Sequence, residues 1–250
     1  MRRFEGRVAL ITGASRGIGL AVAERLVSEG ATVVITGRKP ESLTAAVAQL
    51  DRIAAGHAVG VAGKADDDEH RTEVLALVRD RFGGLDHLVN NAGINPAYGP
   101  ALEIESAVVR KILEVNVVAA LDWTRAAVHV GLRRSIVNTS SVSGLAASPG
   151  IAFYGVSKAA LINLTQQLAF ELAPTVRVNA VAPAVVRTRL AQALYEGDRE
   201  AALAAAYPLG RIGEPADVAG PVAFLLSDDA AWITGHTLTI DGGASIVAVG

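Results

Sequence analysis

The 250-residue sequence has no cysteine and only four lysines. Without thiols there are no disulfides and no thiolate metal site, and a reducing compartment suits such a chain. Few lysines and a formal net charge of −2 leave no basic stripe, which argues against a nucleic-acid partner. Long apolar runs are missing near the start as well. After Met-Arg-Arg-Phe-Glu-Gly-Arg the first such run is only Val8 to Ile11, too short for a signal sequence or a membrane span. The terminal Ala-Val-Gly is no peroxisomal address. A soluble cytoplasmic protein with no membrane partner is the expectation. The five histidines are scattered without ligand spacing, so no catalytic metal is expected.

Apolar residues are plentiful: 51% of the chain is hydrophobic, enough for a sizeable core with surface left for subunit contacts. Short β-branched runs predict strands at Val8–Thr12, Thr32–Thr36, Ala58–Ala62, His87–Asn90, Ser135–Thr139, Arg177–Val181 and Thr237–Ile240. Helical patterns fall between them, at Gly17–Glu29, Glu41–Ile53, Asp67–Arg81, Ser106–Val130, Phe153–Leu172 and Pro215–Leu226. Several strands are continuously apolar, which implies burial on both faces. The alternation predicts an α/β chain, residues 1–250 forming one Rossmann-like domain. Its core is a doubly wound, seven-stranded parallel sheet with helices on both faces. No repeat, low-complexity tract or linker interrupts it. Pro221 should kink the last helix or delay its start. Residues 187–209 break the rhythm and read as a substrate lid, the alternative being a surface helix pair without a role.

The first strand runs into Thr12-Gly13-Ala14-Ser15-Arg16-Gly17-Ile18-Gly19, and a helix follows. Gly13 permits a tight turn, Gly17 lets backbone approach a pyrophosphate, and Gly19 allows close helix–strand contact. The free N–H groups of the helix would face the anion. The glycine spacing is wider than Gly-x-Gly-x-x-Gly, so the strand–loop–helix context supports the reading more than the pattern does. The second strand ends in Thr36-Gly37-Arg38, where an NAD site would favour a carboxylate for the ribose 2′-hydroxyl. Arg38, with Arg16 nearby, suits a 2′-phosphate instead, and NADP(H) is expected over NAD(H). Two ordinary surface arginines are the alternative.

Tyr154 and Lys158 stand one helical turn apart in Tyr-Gly-Val-Ser-Lys. A phenol beside an ammonium is expected to be drawn below its usual pKa near 10, which makes it a usable proton donor and acceptor.

These pieces, with Asn90-Asn91-Ala92-Gly93, Asn116, Ser141 and Asp241-Gly242-Gly243, occur in the order found in the short-chain dehydrogenase/reductase superfamily. The sequence resembles its compact, single-domain members over essentially the whole length. The resemblance implies a catalytic set of Ser141, Tyr154 and Lys158, with Asn116 positioning a water and the lysine. Ser141, thirteen residues before the tyrosine, is selected over Ser140 and Ser143. It further implies cofactor contacts from Gly13, Ser15, Arg16, Gly17, Ile18, Gly19, Arg38, Ala65, Asp66, Asn90, Ala92, Gly93, Tyr154, Lys158, Pro183, Val186 and Thr188. Asn90 and Gly93 would line the adenosine ribose, and Thr188 would bond the nicotinamide carboxamide. A homotetramer built through the 153–172 helix and the last strand is expected, with a dimer as the alternative.

The chain departs from the family pattern at Pro183-Ala184, where Pro-Gly is usual, and at Lys64, where an adenine-contacting aspartate is usual. The acidic run Asp66–Glu69 reads more simply as the favourable first turn of a helix. Asn95-Pro96 is similar to the carbonyl and dicarbonyl reductase branch, which favours a small or lipophilic ketone or its alcohol. The other enzymatic reading is a 3-oxoacyl-[acyl-carrier-protein] reductase. Leu132 and Pro174, aligned with positions that such enzymes make basic beside the mouth, count against it, although Arg133 and Arg134 are close. A non-catalytic NADP(H) sensor would have lost the tyrosine or lysine. An extended epimerase or dehydratase would need more chain. Pocket candidates are Asn95, Tyr98, Ser143, Val185, Leu190 and Leu194, with Leu145 and Tyr207 beside them.

Overall fold

The computed structural model describes residues 2–246, so Met1 and the C-terminal residues read above lie outside it. Among the described residues seven parallel strands form one sheet in the order β3-β2-β1-β4-β5-β6-β7. The strands are β1 (Val8–Ile11), β2 (Thr32–Gly37), β3 (Ala58–Ala62), β4 (Leu85–Asn90), β5 (Leu132–Thr139), β6 (Arg177–Pro183) and β7 (Thr237–Ile240). All seven expected strands are present. β4 and β5 begin earlier than the β-branched runs, because Leu85 pairs with Leu132 before an irregularity in register.

The helices are α1 (Gly17–Ser28), α2 (Pro40–Asp51), α3 (Asp68–Phe82), α4 (Ser106–Leu113), α5 (Ala119–His129), α6 (Ala152–Leu172), α7 (Gln192–Tyr195), α8 (Arg199–Ala205) and α9 (Pro215–Leu226). One sheet face packs on α1, α2 and α9 through Val22, Leu26, Leu50, Val222 and Leu225. The other packs on α3, α5 and α6 through Val74, Val78, Trp123 and Leu168. Each fully buried aliphatic side chain contributes about 1.5–3 kcal/mol. Central strands covered on both sides explain the unbroken apolar runs.

Local chemistry sets several boundaries. Asp67 caps α3, its Oδ1 accepting from the Glu69 and His70 amides at 3.0 and 3.2 Å. Asp68 and Glu69 then occupy the first turn, as the acidic run foretold. The single helix expected over 106–130 is divided by a π-helical turn at Glu114–Val118, which contains Asn116. Pro221 does not delay α9, which starts at Pro215 and continues past Pro221 to Leu226. Its first turn is secured by Asp217, whose Oδ2 accepts from the Glu214 amide at 2.7 Å.

Strand order reverses between β1 and β4, which opens a crevice at the carboxyl ends of these strands. Residues 187–209 pass over this end as the short helices α7 and α8. Among the described residues no helix is long and apolar enough to cross a membrane.

Candidate active site

The turn after β1 is held by its neighbours. Thr12 Oγ1 accepts from the amides of Asn91 and Ala92 at 3.0 Å each. The Asn91 amide group donates to Thr12 O and Gly13 O at 3.0 and 3.1 Å. Gly13 has φ +65°, and a Cβ there would lie 2.9 Å from Ala92 Cα, so a side chain is doubly excluded. At Gly19 a Cβ would fall 2.8 Å from Ala14 Cα, which shows how tightly α1 is set against the turn. No side chain caps the α1 N-terminus and no acid occupies its first turn, so its N–H groups face the crevice uncompensated. Thr188 overhangs them: its Cγ2 would be 3.3 Å from a Cβ on Gly17.

Ser15 lies against Gly37, its Oγ 3.0 Å from where a Cβ would stand, so the glycine turn meets the end of β2. Arg16 and Arg38 are both exposed at this junction, and among the described residues neither has an ion-pair partner. On the adjoining wall Ala65 O accepts from Trp123 Nε1 at 2.9 Å. Asp66 is bonded to Lys111. Burial works against its ionisation, yet the lysine holds this carboxyl below its usual range.

Two residues of the expected cofactor set have buried side chains. The Asn90 amide points inward, donating to Ala120 O, Thr124 Oγ1 and Asn138 Oδ1 at 3.3, 3.2 and 2.9 Å, and ties β4 to β5 and α5. Val186 is 5% exposed, with its side chain in the core and its backbone bridged to Gly213.

Ser141, Tyr154 and Lys158 are brought together because the turn Val142–Gly144 sits directly on α6. A Cβ on Gly144 would lie 2.6 Å from the Lys158 carbonyl carbon, and one on Gly155 would lie 2.6 Å from Ser143 O. Only glycines permit that approach. Ser140 Oγ donates to Lys158 O at 2.8 Å and fastens the same joint from within. Ser141 Oγ accepts from the Ser143 amide at 3.2 Å and donates a long 3.3 Å bond to Pro183 O. Lys158 is buried, donates from Nζ to Thr139 O at 2.7 Å, and lies 5.5 Å from the Tyr154 ring centroid.

The spacing of Tyr154 and Lys158 predicts a phenol drawn down by the ammonium; the structure gives the opposite direction. Desolvation pushes Tyr154 up to about 12, with Tyr98 adding to the rise and the Ser141 hydrogen bond opposing it. Desolvation also lowers Lys158 to about 8. The reason is loss of water around both groups: an amine that gives up its proton at about 8 is no longer a cation where the phenol ionises.

The side chain of Asn116 is fully engaged: its Oδ1 accepts from the Ile94 amide at 2.8 Å, and its Nδ2 donates to Ile94 O and Ser157 Oγ at 3.0 Å. It braces the loop after Gly93 against α6. Gly93 faces both groups: a Cβ there would be 3.4 Å from Asn116 Oδ1 and 3.5 Å from Lys158 Nζ.

An apolar groove of about 650 Å³ is lined by Gly99–Ala101, Ser143–Gly150 and the exposed side of α6 at Val156 and Ala159; Ser141, Tyr154 and Lys158 are not part of its lining. Of the expected substrate residues only Ser143 and Leu145 line it. Tyr98 is half-exposed near Tyr154, and the Oδ1 of Asn95 is buried without a partner. Val185, Leu190 and Leu194 belong to the 187–209 side of the crevice. Tyr207 is a buried anchor whose hydroxyl accepts from the Val185 amide at 3.3 Å. Leu132 begins β5 and Pro174 precedes β6, at the amino ends of the strands, whereas Ser141 follows the carboxyl end of β5, so they do not border the mouth within one chain.

A family model described as Enoyl-(Acyl carrier protein) reductase matches residues 13–245. Dehydrogenase/reductase SDR family member 4 of Caenorhabditis elegans is 41% identical over 251 residues, spanning 97% of this chain and 96% of the relative. The chain belongs to the short-chain dehydrogenase/reductase family. Tropinone reductase-like 3 of Erythroxylum coca is likewise 41% identical, over 97% of this chain and 94% of the relative. The crystal structure of a short-chain dehydrogenase/reductase, SDR:Glucose/ribitol dehydrogenase, from Brucella melitensis superposes with TM-score 0.91 at 33% identity, covering 97% and 98% of the two chains.

Enzymes of this family use nicotinamide cofactors, act on small molecules and commonly oligomerise. The crevice suits such a cofactor on its own geometry. A backbone cradle that a side chain would fill, uncompensated helix N–H groups and two unpaired guanidiniums line one continuous edge.

Proposed function

We propose that the chain is an NADP(H)-dependent oxidoreductase that reduces a small or lipophilic ketone, or oxidises the corresponding secondary alcohol. The observation that carries this reading is the convergence of Ser141, Tyr154 and a buried Lys158 where the turn Val142–Gly144 sits on α6. The α1 N-terminus would take the pyrophosphate, Arg16 and Arg38 the 2′-phosphate, and Thr188 the carboxamide end. When bound, the reduced nicotinamide supplies hydride.

The chain's own groups do the rest. Ser141 exchanges its long bond to Pro183 O for one to the substrate oxygen, where negative charge develops. Tyr154, held protonated by burial, gives its proton to the same oxygen. Lys158 keeps one N–H on Thr139 O and has others to offer a ribose hydroxyl on the Gly93 side. Asn116 acts one step back, fixing the loop that carries Gly93. The tropinone reductase-like relative supports a ketone substrate of that character. Residues 187–209 serve as the lid. The exposed side of α6, with Val156 51% and Phe170 87% exposed, together with the apolar groove beside it, supports assembly through this helix into a homotetramer.

The test is cofactor consumption with NADPH and with NADH across ketones, diketones and 3-oxoacyl thioesters. NADPH should be preferred by at least about tenfold, or about 1.4 kcal/mol, and Arg38→Asp should narrow or reverse the preference. Equal use of NADH would refute the role of the arginines. A clear preference for thioesters would move the substrate to an acyl-carrier reductase.

A further inference from the structure

Arg187 is unusually engaged for an exposed side chain. Its Nε donates to Glu214 Oε1 at 2.8 Å, at the start of α9. Its two terminal nitrogens donate to both oxygens of Glu200, on α8, at 3.0 and 2.7 Å. The guanidinium also lies 5.7 Å from the ring centroid of Tyr195, on α7, and the Tyr195 hydroxyl donates to Thr188 O at 3.2 Å. One planar cation thus gathers both short helices and the base of α9.

The segment it gathers is fixed at its two ends and little held between. At one end the Arg187 amide donates to Gly213 O at 2.8 Å and the Gly213 amide to Val185 O at 3.0 Å. At the other, the Leu209 amide donates to Gly242 O at 3.1 Å and Tyr207 is buried. Between these anchors α7 and α8 pack chiefly on each other, and most of the segment is exposed. With so little apolar burial, position depends on polar ties. Thr188, next to Arg187, is also the residue that overhangs Gly17 at the α1 N-terminus.

We propose that Arg187 is a positioning residue: its clamp on Glu200, Glu214 and Tyr195 holds residues 188–206 shut over the crevice and sets how fast the dinucleotide leaves. The release half rests on the NADP(H) reading above; the clamp itself does not. A lid closed by exposed charges opens more readily as salt screens them.

The experiment has two arms, using the full chain as wild type, Arg187→Gln, Glu200→Gln, the double variant and Arg187→Lys. In the first arm, amide hydrogen exchange over 188–206 is followed without cofactor. Each single glutamine variant should exchange about three- to tenfold faster there, as expected for a small network of exposed pairs. The double variant should add little, because both changes remove one coupling. Arg187→Lys should recover part of the protection, and 1 M salt should bring wild type toward the variants. In the second arm, NADPH is displaced in a stopped-flow fluorescence measurement, and release should accelerate in the same order. Strict additivity in the double variant, or unchanged exchange in Arg187→Gln, overturns the clamp. Faster exchange with unchanged release overturns its control of the cofactor. A wild-type chain that binds no NADPH sinks the functional reading and the release half together, while the exchange arm still decides the clamp.

Discussion

Replacing Lys158 with methionine should make the protein more stable and inactive. In the fold the amine titrates at about 8, against 10.5 for an ordinary lysine, because it is stripped of water. Below pH 8 it is protonated in both the folded and unfolded chain, so the fold bears the whole penalty of keeping it charged. At 1.36 kcal/mol per pKa unit that penalty is about 3 kcal/mol. Methionine has a similar length and no charge, but it forfeits the bond to Thr139 O, which offsets about 1 kcal/mol. The net gain of about 2 kcal/mol corresponds to a rise of about 4–8 °C in thermal midpoint for a chain of this size. Between pH 8 and 10.5 the native amine loses its proton while the unfolded one keeps it, so the penalty fades. The variant's advantage should therefore shrink steadily above pH 8, vanish at about pH 9.5 and reverse to about 1 kcal/mol in favour of wild type by about pH 10.5. Thermal melts of both proteins from pH 6 to 10.5 measure this. A variant that melts lower than wild type at pH 7, or an advantage that grows with pH, would refute the reasoning.

Gly144→Ala should lower stability by about 1–3 kcal/mol and cut turnover more than cofactor binding. Its methyl group would stand 2.6 Å from the Lys158 carbonyl carbon and force Ser141 off α6; a denaturant titration beside steady-state kinetics separates the two effects. Direction should depend on pH. Reduction needs the phenol protonated, which a value of about 12 secures throughout neutrality. It should decline as Lys158 loses its charge through about pH 8, if that cation assists. Oxidation needs the phenolate and should keep rising into the alkaline range, and a pH-independent oxidation rate would contradict the assignment.

The strands and their assembly into one parallel sheet were legible because periodicity and turn residues report burial directly, whereas their order in the sheet comes from the structure. Continuous apolar runs such as Val8–Ile11 exist only where helices cover both faces. The pairing of Tyr154 with Lys158 was legible from their spacing on one helix, and Ser141 was added by the family resemblance. The direction of the tyrosine shift was not legible, since it depends on how much water reaches the ring. Asn90 and Asn91 could not be told apart by motif: the last residue of β4 turns inward to Asn138, and the next fastens the turn after β1. The π turn around Asn116 has no period of its own to detect. The grip of Arg187 on Glu200 and Glu214 joins residues from separate elements, which no local pattern reveals.

The central claim, that Tyr154 donates the proton, is tested most directly by Tyr154→Phe. NADPH binding by fluorescence titration and ketone-dependent NADPH oxidation would be measured on the same sample. The account predicts a dissociation constant within about threefold of wild type and no detectable turnover. Turnover within about tenfold of wild type would contradict it, since general acid catalysis by a positioned side chain is worth about 10²–10⁴-fold.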